Sequence, residues 1–175
     1  IREWDSKGYR LFPENPSKYQ EEHLDHLLAH AVRLNGSDVY IKTNDYIRAN
    51  IYGKFYKLSS RTLDSDEISS FLNKIYGKTA ISILNTGTPI DTLYVVNNSS
   101  FYGRFRVSIK SGLTRGGRGY IATLRPIPDI PPDLDPEVPM ELINTYNYKQ
   151  GLNLVIGATG SGKSTLIASI IKAKL

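Results

Sequence analysis

The chain has 175 residues, of which 40% are hydrophobic and 22% are charged, a composition typical of a globular protein rather than of a disordered or membrane-spanning one. No apolar run approaches the ~20 residues needed to span a bilayer, and the N-terminal IREWDSKGYR lacks the apolar core of a signal peptide. The absence of cysteine excludes disulfides, cysteine-ligated zinc and thiol catalysis.

The net charge of +5 is concentrated in one interval. Between Asp91 and Asp129 the chain has basic residues and no acidic ones. The basic residues are Arg104, Arg106, Lys110, Arg115, Arg118 and Arg125. Such a basic block favours a phosphate-bearing partner. A solvated basic face without a partner is the alternative.

The first part of the chain predicts a helix followed by strands. Residues 1–18 contain two prolines and no clear period, so they predict an irregular lead-in. From Tyr19 to Leu34 apolar residues recur every three or four positions, which predicts an amphipathic helix that Asn35-Gly36 ends. DVYIKT and YIRANIYGKFYKL then each alternate as one strand.

A second helix and three more strands are predicted next. The helix runs from Asp66 to Tyr76, with a polar cap before it and Gly77 after it, and residues 79–85 predict another helical turn. DTLYVVNN, FYGRFRVSIK and GYIATLRPI predict strands, the last two joined by a glycine-rich loop, SGLTRGGRG. Residues 19–126 therefore predict an α+β domain with an antiparallel sheet and helices on one face.

A proline-rich segment separates this region from the rest. PIPDIPPDLDPEVP holds six of the nine prolines, and since proline fixes φ and lacks an N–H donor, residues 127–139 predict a stiff, extended, acidic linker. In residues 140–175 we expect a short helix from Met140 to Tyr148, and then a strand at Leu152–Ile156, because its continuous apolar run is typical of a buried parallel strand. A helix within TLIASIIKAKL follows.

The nine residues GATGSGKST, between that strand and that helix, match the pattern G-x-x-x-x-G-K-S. Glycines let the backbone curl so that several N–H groups point into one cavity, and the helix beginning there adds the positive end of its dipole. Lys163 would reach the β- and γ-phosphates of ATP, and the Ser164 hydroxyl would bind Mg²⁺. The candidate nucleotide-binding residues are Gly157, Ala158, Thr159, Gly160, Ser161, Gly162, Lys163, Ser164 and Thr165. The alternative is a glycine turn that only closes a βα unit.

Nucleotide binding alone is not hydrolysis. A P-loop ATPase also uses a Walker B acid on a second strand and a residue that orients water, and we find neither in this sequence. One strand and one helix also leave apolar surface uncovered. We therefore expect the chain to be the front part of a longer protein, without useful ATPase activity by itself.

The basic block predicts a strand with one apolar and one basic face. In FYGRFRVSI the basic face carries Arg104 and Arg106, Arg125 lies on the next strand, and Arg115 and Arg118 lie in the loop between them. Arginine donates two hydrogen bonds at once to phosphate, so these residues are candidate arginine fingers. RGGRG also resembles an RGG box, which makes nucleic-acid binding the rival interpretation. A purely solubilising role is the third.

Three histidines, His23, His26 and His30, fall near one side of the first helix. Their spacing is compatible with a metal ion. No other side chain is clearly placed to complete a metal site, so a position at the boundary between core and solvent is the favoured interpretation.

The order of these features resembles a known family. GSDVYIKTNDYIRANIYGKFYKL is similar to the segment beginning Gly-Ser-Asp in the N-terminal domains of the PilT/GspE/VirB11 superfamily of secretion ATPases. RFRVSI and LRPIP resemble its arginine-bearing hairpin, and a proline-rich linker leads to GATGSGKST. Within the superfamily, the chain is most similar to the DotB/TraJ ATPases of type IVB (Dot/Icm) secretion and conjugation systems.

The resemblance implies a fold and a function. It implies a PAS-like domain at residues 19–126, followed by the first βα unit of an α/β RecA-like P-loop ATPase domain at residues 140–175. Such subunits form hexamers that bind ATP and Mg²⁺ between the domains, where Arg104 and Arg125 would reach the phosphates. The family's Asp box, Walker B and His box are absent from this sequence.

The resemblance also implies partners and a location. The hexamer would lie at the cytoplasmic face of the bacterial inner membrane with other secretion components. It would power translocation or unfolding of a secreted substrate, or assembly of the machine. Its partner would be the secreted substrate or a substrate adaptor, and it would not bind nucleic acid directly. The alternative is an assembly or docking module that holds nucleotide without motor activity.

Overall fold

A computed structural model of the chain describes residues 11–114, 116–147, 150–158 and 161–174. The chain divides into two compact units between Ile127 and Pro128. The first unit contains α1 (Glu21–Arg33), β1 (Gly36–Lys42), β2 (Tyr46–Ile51), β3 (Lys54–Thr62), α2 (Ser65–Tyr76), α3 (Ala80–Asn85), β4 (Ile90–Asn98), β5 (Phe101–Thr114) and β6 (Gly117–Ile127). The second contains α4 (Met140–Thr145) and α5 (Lys163–Lys174).

The six strands form one antiparallel sheet in the order β3-β2-β1-β6-β5-β4, which confirms the predicted antiparallel sheet. Its centre joins two strands that are distant in sequence, since Val39 of β1 pairs with Leu124 of β6. β5 and β6 form a long hairpin whose register runs from Arg104–Ile127 to Thr114–Gly117. This pairing sets the basic strands beside the Gly-Ser-Asp segment.

One face of the sheet packs into the core with the helices. α1 contributes the predicted leucine stripe, including Leu24, Leu27 and Leu28, and all three are fully buried. The inner face of β5 contributes Phe105 and Val107, while Arg106 between them is exposed, as the alternation of the sequence predicted. The opposite, outer face of the sheet therefore carries the polar side chains.

Close contacts define the ends of α1 and α2. Asn35 adopts a φ of +58° after α1, so the predicted Asn-Gly helix end is confirmed. A Cβ on Gly36 would lie 2.9 Å from the Ala31 carbonyl oxygen, which explains why glycine begins β1. At α2, the Asp64 carboxylate accepts from the Glu67 N–H at 2.9 Å, and the Glu67 carboxylate accepts from the Asp64 N–H at the same distance.

The strand predicted from YIRANIYGKFYKL is wrong in one respect, because the structure divides it into β2 and β3. Tyr52 and Gly53 form the turn with φ values of +49° and +77°, as a type I′ hairpin turn requires. The alternation of side chains continues through Tyr52 and Gly53 in the sequence, so the pattern did not indicate a turn there.

The predicted loop SGLTRGGRG is also largely strand. Ser111 pairs with Tyr120 and Thr114 pairs with Gly117, so only two residues connect β5 to β6. Cross-strand pairing gives hydrogen-bond partners to backbone groups of Gly112, Gly117 and Gly119, which a loose loop would leave to water. Arg118 therefore lies on a strand and not on a flexible loop, whereas Arg115 lies outside the described residues.

The second unit differs from expectation at its predicted strand. Residues 152–156 form no strand among the described residues, and Leu152, Leu154 and Ile156 are 83%, 73% and 87% exposed. A strand requires a partner strand for its backbone groups, and none of the described strands pairs with this segment. Residues 128–139 contain neither helix nor strand, and α4 ends at Thr145, three residues before the predicted end.

Candidate nucleotide-binding loop and arginine face

The loop between residues 157 and 162 is tightly folded where it is described. Gly162 has a φ of +83°, a conformation that favours glycine. A Cβ on Gly157 would lie 2.9 Å from Ser161 Oγ, so any other residue at this position would displace the Ser161 hydroxyl. Thr159 and Gly160 lie outside the described residues. The local geometry thus accounts for two glycines of the pattern.

Lys163 folds back over the loop. Its Nζ donates to the carbonyl oxygen of Gly157 at 2.8 Å and to that of Ala158 at 2.6 Å. α5 begins at the same residue, and the Leu166 N–H donates to the Gly162 carbonyl at 2.8 Å. Ser164 and Thr165 are exposed in the first turn, where helix N–H groups have no partner within the helix. A cation, a hydroxyl and helix N–H groups thus lie together at one helix end.

Three arginines, Arg104, Arg106 and Arg125, share the outer face of β5 and β6. Arg106 on β5 lies directly opposite Arg125 on β6, and both are exposed. Arg104 is half-buried one pleat further along β5. Arg118 is exposed on the opposite face of β6 and donates from Nη2 to the carbonyl of Asn85, the last residue of α3, at 2.9 Å. Of the predicted arginines, the structure therefore brings Arg106 and Arg125 into direct register.

A buried carboxylate lies beside these arginines. Arg125 Nε donates to Asp38 Oδ1 at 2.8 Å, and hydrogen bonding to Asp38 raises the pKa of the Arg125 guanidinium. Asp38 and Arg125 line a shallow cavity of about 240 Å³. The other lining residues are Asp91, Arg106, Ser108 and Thr123. Its charged groups are two arginines and two aspartates, so the cavity combines donors for an anion with carboxylates that balance them.

Asp38 is not among the site residues that the sequence predicted. Its signal is its position: on β1 it shares a face with Tyr40 and Lys42, yet only 5% of the residue is exposed. A buried carboxylate on a polar sheet face requires a specific cationic partner. That partner, 87 positions later, could not be assigned without the register between β1 and β6.

The predicted boundary role of the histidines agrees with their contacts. His23 Nδ1 accepts from the Gln20 N–H at 3.0 Å, before α1. His26 is exposed and its Nδ1 lies 2.7 Å from Glu14 Oε1, while the ring of His30 lies 6.0 Å from that of Phe12. Within the described residues, no group of three or more histidine, aspartate or glutamate side chains is arranged to hold a metal ion.

Solved structures identify the relatives of the chain. The X-ray structure of the ATPase DotB from Legionella pneumophila matches with a TM-score of 0.81 and 38% sequence identity, over 93% of this chain and 45% of that one. DotB from Yersinia pseudotuberculosis matches with a TM-score of 0.77 and 28% identity, over 90% and 43% of the two chains. The chain belongs to the PilT/GspE/VirB11 superfamily of ATPases. Within this superfamily it groups with the DotB proteins.

A third structure extends this relationship. The crystal structure of the pilus retraction motor PilT with bound ADP matches with a TM-score of 0.67 and 26% identity, over 86% of this chain and 42% of that one. The chain thus spans less than half the length of each of these relatives. No protein-family model and no curated protein sequence matches it. Among the helices of the described residues, none is long and apolar enough to cross a membrane.

Proposed function

We propose that the chain is the nucleotide-binding front part of a hexameric ATPase of type IV secretion, of the type IVB (Dot/Icm) kind. The hexamer would translocate or unfold secreted substrates, or drive assembly of the machine. The observation that carries the proposal is the G-x-x-x-x-G-K-S loop, which enters α5 through the left-handed Gly162 in a chain 38% identical to a DotB ATPase.

ATP is the proposed substrate of this loop. The exposed first turn of α5 offers N–H groups and the positive end of its dipole to phosphate oxygens. Lys163, whose ammonium is held by two loop carbonyls, would exchange these for the β- and γ-phosphates. The Ser164 hydroxyl fits as one ligand of Mg²⁺, which prefers oxygen ligands and keeps several waters. Mg²⁺ would neutralise charge on the phosphate oxygens.

The first unit would supply the remaining positive charge. Arg104 and Arg125 lie on the outer face of the sheet, away from the helices. As arginine fingers they would donate to the γ-phosphate, where negative charge is redistributed as the terminal phosphoryl group leaves. DotB and PilT are ATPases or motors by name, which supports the same assignment for this chain.

The proposal assigns roles to the parts of the chain. Residues 19–126 would be the PAS-like domain, residues 127–139 the linker, and residues 140–175 the start of the RecA-like domain. The exposed apolar side chains of residues 152–156 agree with this, since a RecA-like domain would cover them with further strands. We place the hexamer at the cytoplasmic face of the inner membrane, with other secretion components.

Lys163→Ala in the full-length protein tests the proposal. We expect ATP turnover to fall by about 100-fold or more, because the substitution removes a charge that contacts the transferring phosphate. Lys174→Ala, at the other end of the same helix, is the matched control and should retain turnover. Loss of secretion with assembly intact supports a motor, whereas loss of assembly alone supports a nucleotide-holding module. Unchanged turnover in Lys163→Ala contradicts an ATP site at this loop.

A further inference from the structure

We propose that Asp38 is a positioning residue for Arg125, holding its guanidinium so that the two Nη groups face a nucleotide phosphate. This inference rests on the proposed function, since it assigns a partner to one of the proposed arginine fingers. It adds a residue on β1, in the Gly-Ser-Asp segment, to the arginine face of the β5–β6 hairpin.

Asp38 contacts Arg125 only at Nε, which suits a residue that orients the guanidinium without occupying its two Nη groups. Asp38 Oδ1 accepts from Nε of Arg125 at 2.8 Å, and Nε is the donor nearest the aliphatic stem. The Asp38 side chain is 7% exposed, whereas the Arg125 side chain is 65% exposed. Within the described residues Arg125 makes no other side-chain hydrogen bond or ion pair, so both Nη groups keep their donors.

The carboxylate is itself fixed from a second side. Asp38 Oδ2 accepts from Ser37 Oγ at 3.0 Å, and Ser37 Oγ also reaches the Asn50 carbonyl of the neighbouring strand at 3.3 Å. An arginine on a surface normally samples many rotamers, which costs free energy when it must adopt one of them in a transition state. The buried Asp38 carboxylate accepts a hydrogen bond at each of its oxygens, so it restricts the Arg125 side chain. This removes part of that cost before the substrate binds.

The charge arrangement argues for a ligand rather than for a structural tie. Arg106 lies directly across from Arg125 in the β5–β6 register, and like charges at opposed positions are unfavourable. Within the described residues, the Arg106 side chain makes no hydrogen bond or ion pair, and no ion pair joins Asp91 to either arginine. β1 and β6 are already joined by backbone pairing from Val39–Leu124 to Lys42–Ile121. The Asp38–Arg125 contact is therefore not needed to set their register.

The test is a set of substitutions in the full-length protein, with steady-state ATP hydrolysis as the readout. Asp38→Ala should lower kcat by about fivefold or more and change KM for ATP by less than about twofold, because it affects only the orientation of Arg125. Asp38→Asn keeps an acceptor oxygen for Nε and should recover part of kcat. Asp45→Ala is the matched control, since Asp45 forms a comparable ion pair with Arg48 at 2.7 Å outside the cavity.

A double-mutant cycle separates positioning from folding. If Asp38 acts through Arg125, the double variant Asp38→Ala/Arg125→Ala should have the kcat of Arg125→Ala alone, within about twofold. Losses that multiply, or an Asp38→Ala kcat equal to that of the Asp45→Ala control, would overturn the inference. If Asp38→Ala is not recovered folded, Asp38→Asn replaces it in the cycle, with Asp45→Asn as its control and the same criteria.

The cycle also distinguishes this inference from the proposed function. If Lys163→Ala abolishes turnover while Asp38→Ala behaves like the control, only the positioning role fails. If Lys163→Ala retains full turnover, the ATP site itself is wrong. If Arg125→Ala alone retains full kcat, Arg125 is not a finger and the positioning role falls with it.

Discussion

Glu67 on α2 is the buried charge on which we expect the stability of the first unit to depend most. Its carboxylate is 1% exposed and accepts four hydrogen bonds. Oε1 accepts from the Tyr19 N–H at 2.6 Å and from Arg61 Nη2, while Oε2 accepts from Arg61 Nη1 at 2.9 Å and from the Asp64 N–H at 2.9 Å. The residue thus joins Tyr19, just before α1, to β3 and the start of α2.

The substitution Glu67→Gln shows how much these hydrogen bonds contribute to the free energy of unfolding. Whichever way the new amide is oriented, its NH₂ group faces two donors, so two of the four hydrogen bonds are lost. At about 1 to 1.5 kcal/mol for each bond, Glu67→Gln should lower the free energy of unfolding by about 2–3 kcal/mol. Arg61 is one-third exposed and can be hydrated again, which keeps the loss below that of a fully buried ion pair. The expected fall in Tm is about 8–12 °C.

The pH dependence of this loss has a defined sign. Burial alone would raise the pKa of Glu67, but hydrogen bonds from Arg61, Asp64 and Tyr19 outweigh it and lower the pKa. A lowered pKa stabilises the folded state above the unfolded pKa of about 4.3, and this contribution is lost as pH falls through the folded pKa. The stability difference between the wild type and Glu67→Gln should therefore be full at pH 7 and shrink below about pH 4.

Urea and thermal unfolding followed by circular dichroism measure both effects. Asp66→Asn is the matched control, because it removes an exposed acid from the same first helical turn. It should cost less than about 1 kcal/mol. A Glu67→Gln variant as stable as this control at pH 7, or a stability difference independent of pH down to pH 3, would refute the hydrogen-bond reasoning.

Two further predictions concern a close backbone contact and a side-chain hydrogen bond in the first unit. Gly36→Ala should destabilise the chain by about 1–3 kcal/mol, since the added Cβ would lie 2.9 Å from the Ala31 carbonyl, whereas Gly112→Ala, with no atom nearer than 3.8 Å, should be nearly neutral in the same urea titration. Tyr94→Phe should cost about 1 kcal/mol by removing the 2.6 Å hydrogen bond to Asp25 Oδ1. Burial and this hydrogen bond raise the pKa of Tyr94, so the loss should be constant below about pH 10 and diminish above it; a loss that grows at high pH would contradict this assignment.

Patterns within short stretches of sequence predicted the helices and strands that neighbouring residues determine. The leucine spacing of α1, the alternation of β5 and the positive φ of Asn35 all appear in the structure. The Tyr52-Gly53 turn was missed because tyrosine is not a typical residue for a left-handed turn position, and the alternating pattern passed through it unchanged. The sequence SGLTRGGRG suggested a flexible loop by composition, but residues 111–114 pair with residues 117–120.

Contacts between distant segments account for what could not be predicted. The order β2-β1-β6-β5 places the first strand of the sheet beside the last, and alternation within either strand carries no information about that choice. The strand expected at residues 152–156 failed for a related reason. Its apolar run predicts burial between neighbours, and among the described strands none pairs with it.

The same distinction separates the phosphate loop from the orientation of Arg125. The phosphate loop is a local structure: nine consecutive residues contain the glycines, the lysine and the hydroxyl, and Gly162 needs only its own conformation to begin the turn into α5. The orientation of Arg125, in contrast, depends on a carboxylate that only the pairing of β1 with β6 brings near. Substitutions in the loop should therefore affect nucleotide binding directly, whereas substitutions along β1 should act on the arginine and leave the loop intact. The Gly-Ser-Asp segment thus has a chemical reason to accompany an arginine-bearing hairpin in one chain.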